Sequence, residues 1–167
     1  KQPLLVSLSS DTIAGFNANG ALPPYRGTAA AHAVIEGDGL LLIDSGGQYT
    51  NGTTDITRVV PIGRTSAEQR RDYTLVLKSH IALSTACFPE GIASPLLDAI
   101  ARAPLWAAQR DYGHGTGHGV GYFLNVHEGP QRIALQAAPV ASTAMRAGMI
   151  TSNEPGLYRP NRWGIRI

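Results

Sequence analysis

The chain has 167 residues, room for one domain with a substantial hydrophobic core and no need of a second. Its 14 Lys and Arg stand against 12 Asp and Glu, a formal charge of +2 with no basic run, which argues against nucleic acid or an anionic membrane as partner. No apolar stretch approaches the roughly 20 residues that span a bilayer and the N-terminus lacks a signal-peptide layout, so a cytoplasmic protein is the expectation.

Residues 28–43 hold two short apolar runs separated by Gly37, Asp38 and Gly39, the composition of a tight turn between strands. The second run, Leu40 to Ile43, ends at Asp44. After the turn-rich SGGQYTNGTT comes DITRVVPIG, in which Ile56, Arg58 and Val60 alternate against Thr57 and Val59. This strand, loop, strand unit brings Asp44 and Asp55 close. Ser66 as N-cap with Gln69 three residues on predicts a helix to about Cys87, before Pro89 and Gly91 stop it. The single cysteine, Cys87, has no internal disulfide partner; its place in the apolar run IALSTACFP predicts a buried, inert thiol. Ser94 and Pro95 open a second helix through about Ala108. From Tyr112 onward the pattern returns to glycine-punctuated strands, GHGTGHGVGYFLNVHEGP, GMITSNEPGLY and RWGIRI. The order predicts an α+β domain, with both helices against one face of a curved, mostly antiparallel sheet. Lys1 in place of an initiator Met, and an end at Ile167 within a strand-like run, predict a single domain over 1–167 cut at both ends.

Two carboxylates held close, as Asp44 and Asp55 are by the strand pairing, repel unless a cation or a shared proton compensates. His114 and His118 lie four apart, but the glycines between them argue against the helix that a His-Glu-x-x-His zinc motif needs. Glycine at alternate positions instead lets backbone approach a ligand and leaves each imidazole free to face a cleft. Glu154 precedes Pro155 and Gly156, a turn that fixes its direction. Carboxylates with one imidazole suit a divalent metal centre. His32 and His80 are expected to be structural.

The segments FNANGALPPYR, LLIDSGGQYTNGTTDITR, YGHGTGHGVGYFLNVHEGP and NEPGLYRPNRWGIRI together resemble the Xaa-Pro aminopeptidases of the pita-bread metallopeptidase family, which includes prolidase and methionine aminopeptidase. The resemblance implies two divalent metal ions, manganese favoured and cobalt or zinc as substitutes. Asp44 would hold one ion, Asp55 would bridge both, and His118 and Glu154 would bind the second. A further glutamate would follow directly after Ile167. It also implies that His114 and His127 stand around the substrate, that Glu154 doubles as acid and base, and that Arg166 supports the final ligand. A hydroxide bridging the metals would attack the bond between an N-terminal residue and a following proline. Pro24 stands where the family usually has a histidine. Two alternatives share the resemblance: a prolidase-type dipeptidase and a non-catalytic binding module. A homo-oligomeric parent is open on these grounds, and the 167-residue chain itself is expected to be weakly active or inactive.

Overall fold

The apolar run that ends at Asp44 becomes the middle of a three-stranded antiparallel sheet, buried where its side chains alternate toward the helices. The computed structural model describes residues 2–23 and 25–167, so the expectation at Pro24 lies outside the described residues. In chain order the strands are β1 (Leu5–Leu8), β2 (Ile13–Phe16), β3 (Gly39–Ser45), β4 (Gly47–Tyr49), β5 (Gly52–Thr53) and β6 (Ile56–Ile62). Helices α1 (Ala67–Ser84) and α2 (Asp98–Ala107) follow, then β7 (Gly117–His118), β8 (Arg132–Ile133), β9 (Gly156–Arg159) and β10 (Trp163–Arg166).

Strand β3 pairs with β2 on one side and β6 on the other, so that Asp44 faces Ile13 and Thr57 across the ladder. Leu40, Leu42 and Val59 of this sheet, Leu157, Trp163 and Ile165 of the β9–β10 hairpin, Val76 of α1, Leu105 of α2 and Tyr112 form one buried cluster. Both helices therefore pack on the sheet side where they were expected. The capping box forms as read: Gln69 N–H donates to Ser66 Oγ at 3.1 Å and Ser66 N–H to Gln69 Oε1 at 2.8 Å. Helix α1 meets α2 through small residues, with Ser79 and Ala101 both at 0% exposure and the Ser79 hydroxyl donating to the Ala101 carbonyl.

Four expectations need correction. Residues 32–36 form no strand, because both edges of β3 are already occupied, and Val34 and Ile35 stand exposed. Helix α1 ends at Ser84, where the Thr85 hydroxyl turns back to the Ile81 carbonyl at 2.8 Å. Cys87 therefore lies beyond the helix and is exposed instead of buried. The second helix starts as a 3-10 turn, Ser94–Leu97, before α2.

The strands fall into four antiparallel pieces, β1-β4-β5, β2-β3-β6, β7-β8 and β9-β10. In the glycine-rich stretch only Gly117 and His118 join a ladder; the following residues fold back, with Glu128 N–H donating to Gly119 O at 2.8 Å. A side chain at Gly117 would stand 2.0 Å from Ser152 O and one at Gly119 1.9 Å from Glu128 O. Only glycine allows these backbones so near each other.

Candidate metal centre

Asp44 closes β3, and Asp55 immediately precedes β6, its ladder partner. His118 and Glu154 are brought to them by a second pairing of segments. Ser152 N–H donates to His118 O at 2.8 Å, Glu154 N–H to Thr116 O at 2.6 Å, and His118 N–H to Ser152 Oγ at 3.0 Å. The residues 116–118 and 152–154 thus run side by side and place both functional side chains over the end of the first sheet.

His118 Nδ1 lies 2.9 Å from Gly119 O, which commits that nitrogen to donating. Its Nε2 then faces two carboxylate oxygens, Glu154 Oε1 at 3.0 Å and Asp55 Oδ2 at 3.4 Å. Burial disfavours charge on His118, but Asp55 and Glu154 outweigh it and push its pKa up to about 10. Glu154 Oε1 is buried and has no aligned hydrogen bond despite the nearness of His118. Burial raises the Glu154 pKa, yet His118 and Arg166 bring it below the usual carboxylate range. A buried carboxylate oxygen without a donor, beside an imidazole whose other nitrogen is tied to a carbonyl, is the arrangement a divalent cation satisfies. Three carboxylates and an imidazole are also a donor set of the right chemistry.

Arg166, on β10 and 6% exposed, donates to Asp44 Oδ2 at 2.6 Å, to Tyr158 Oη at 3.0 Å and to Thr57 Oγ1 at 3.3 Å. Burial nevertheless leaves the Asp44 pKa raised, with Asp55 and Glu154 adding to the upward push. His114 is held at both nitrogens, Nδ1 by Gly115 O at 2.8 Å and Nε2 by Tyr158 Oη at 2.7 Å. Burial lowers its pKa and keeps it neutral. His127 is exposed, its ring 4.4 Å from that of His118 and edge-on to it. Ligand atoms of Asp55, His118 and His127 lie within 4.8 Å of one another, so His127 stands at the edge of the donor cluster as well as over the cleft. His80 bonds Asn153 reciprocally, and His32 is exposed, accepting no place in the cluster.

The site opens into a cavity of about 740 Å³ that includes Asp44, His114, His118, His127, Glu154 and Arg166. A smaller cavity of about 280 Å³, lined by Asp11, Tyr25 and Arg26, also reaches Asp44, Asp55 and Glu154. Reasoning from sequence missed Tyr158, which joins His114 to Arg166, and Ser152, which fixes His118. The signal for Tyr158 was its strand position four residues after Glu154; Ser152 carried none.

A family model described as metallopeptidase family M24 matches residues 2–167. A probable Xaa-Pro aminopeptidase P of Laccaria bicolor is 49% identical over 98% of this chain, and Xaa-Pro aminopeptidase 1 of Dictyostelium discoideum is 47% identical over 100% of this chain. The chain spans about a quarter of these curated relatives, 25% and 26%. The X-prolyl aminopeptidase of Caenorhabditis elegans, described as a cytosolic enzyme with a di-nuclear active site, superposes with a TM-score of 0.93 at 41% identity, over 99% of this chain and 27% of that one. Prolidase of Pyrococcus furiosus gives 0.83 at 32% identity, over 98% and 46%. The expected α+β pita-bread fold is thus present, built of antiparallel sheets without a closed barrel. With a model matched almost from end to end and relatives at nearly half identity, the chain belongs to metallopeptidase family M24.

Proposed function

We propose that this chain carries the metal-binding core of an Xaa-Pro aminopeptidase, which removes the N-terminal residue from peptides with proline second. The observation that carries the proposal is His118 Nε2 facing Asp55 and Glu154 while Nδ1 is spent on Gly119 O. In this reading Asp44, Asp55, His118 and Glu154 would hold the two divalent cations. The carboxylate-rich donors favour manganese, with cobalt and zinc as substitutes. Such cations, when bound, would supply a water of lowered pKa and a Lewis acid for the scissile carbonyl.

The protein's own groups supply the rest. Arg166 keeps Asp44 aimed at the site and blocks its outer oxygen from solvent. The Glu154 carboxylate, besides holding a cation, would take a proton from water and return it to the departing proline nitrogen. Neutral His114 and exposed His127 flank the cavity where the scissile amide would lie, His114 exchanging its Tyr158 bond for one to substrate. The relative named from Caenorhabditis elegans supports a cytosolic location, and no helix here is long and apolar enough to cross a membrane among the described residues.

Likeness to a prolidase supports a second reading, a dipeptidase. Full-length protein with manganese should release glycine from Gly-Pro-Ala faster than it splits Gly-Pro. The reverse order would establish the dipeptidase, and cleavage of neither, with no manganese bound, would leave a binding module.

A further inference from the structure

Arg102 on α2 is a cation at 1% exposure that lines neither of the two cavities at the site, yet all three of its guanidinium nitrogens make hydrogen bonds, three of the four to residues 111–114. Nε donates to Asp98 Oδ2 at 2.7 Å, Nη1 to Asp111 Oδ1 at 2.6 Å and to Tyr112 O at 2.7 Å, and Nη2 to His114 O at 2.6 Å. Its central carbon lies 3.9 Å over the Tyr112 ring. Asp98 in turn accepts from the Thr116 hydroxyl and from Leu135 N–H at 2.8 Å. Burying this charge gains little stability over an apolar pair of the same volume, so its geometry is the thing to explain.

What the fork grips is the 111–116 loop. His114 sits between Gly113 and Gly115; a side chain at Gly113 would meet nothing within 4 Å, while Gly115 lies against Ala134 and Thr116 N–H donates to Ile133 O at 2.8 Å, so the loop is anchored after His114 but open before it. The bond from Nη2 adds the hold on the His114 side, on the carbonyl of the peptide between His114 and Gly115. Gly115 then presents its own carbonyl to His114 Nδ1, leaving Nε2 for Tyr158. His118 is held by other partners, Ser152 and Gly119.

We propose that Arg102 is the positioning residue of His114, setting the direction and tautomer of that imidazole through the His114 carbonyl without touching substrate or cation. Its consequence for turnover rests on the aminopeptidase reading; the geometry of the imidazole does not. Lysine keeps the charge but not the planar fork, and cannot reach both carbonyls and both carboxylates together.

The test uses full-length protein loaded with manganese. Arg102→Lys should lower kcat on Gly-Pro-Ala by about tenfold or more, the scale of a slightly misplaced group, with KM and manganese stoichiometry little changed. In a His114→Ala background the same substitution should cost nothing further. In metal-free protein the nitrogen NMR signals of His114 should lose their hydrogen-bonded Nδ1–H pattern in Arg102→Lys while those of His118 stay. Additive losses, or an unchanged His114 signal in a folded variant, would overturn the proposal. Should Arg102→Lys not fold, Asp111→Ala loosens the same fork at a half-exposed partner and leaves Asp98 in place. It should give the same pattern in smaller measure, and additivity there refutes the proposal equally. A wild type that cleaves neither peptide defeats the aminopeptidase reading, and the His114 signals then decide the positioning role alone.

Discussion

If His118 is a metal ligand as proposed, its proton must leave before a cation is taken up. Its pKa is raised from 6.5 to about 10 by two carboxylates, so the metal-free protein holds it charged at neutral pH. A group raised in this way adds stability that is whole below the unfolded value and fades as pH climbs through the folded one. Metal-free protein should therefore lose stability to urea between pH 6.5 and about 10, and His118→Gln should flatten that slope. A metal ligand must be unprotonated, so manganese binding should expel about one proton at pH 7. Calorimetry in buffers of different ionisation heat reads that proton directly, and it should vanish in His118→Gln.

At the scale of elements, the β9–β10 hairpin that carries Arg166 is pinned to α1 by Asp72. This carboxylate, 1% exposed, receives Arg159 Nη2 at 2.8 Å and Trp163 Nε1 at 3.1 Å. Arg162 lies over the same indole at 4.2 Å and pairs with Glu68 at 2.6 Å. Asp72→Ala strands a partly buried Arg159 and the indole N–H, which should cost about 3 kcal/mol in urea unfolding. Asp72→Asn, which keeps one acceptor, should cost less. Helix α1 and its capping box were legible because N-cap and N3 residues act within one turn. The missing strand at 32–36 was not, because whether an apolar run pairs depends on which edges remain free. Asp44, Asp55, His118 and Glu154 could be picked out because the resemblance to the metallopeptidase family is carried by the contiguous motifs that hold them; taken alone, each is as readily a turn or structural residue. Arg102 and Tyr158 could not, since their meaning comes from partners on other elements.

Across the whole molecule, two cavities share Asp44, His127 and Glu154, one extending to His114 and Arg166, the other to Asp11 and Tyr25. Manganese at one hundred times its dissociation constant should raise stability by about 2.7 kcal/mol, and excess chelator should remove that gain. A denaturant titration with and without manganese measures it, and no difference would speak against ligation by the folded cluster.

The four donors are drawn from remote stretches of the chain, between Asp44 and Glu154. In polymer language a cation held by them all is a reversible cross-link that ties off several long loops at once. The unfolded coil gives up most of that freedom if it keeps the ion, and loses the ion if it keeps the freedom. Ion supply during synthesis would then set how long each new copy survives before proteases find it open.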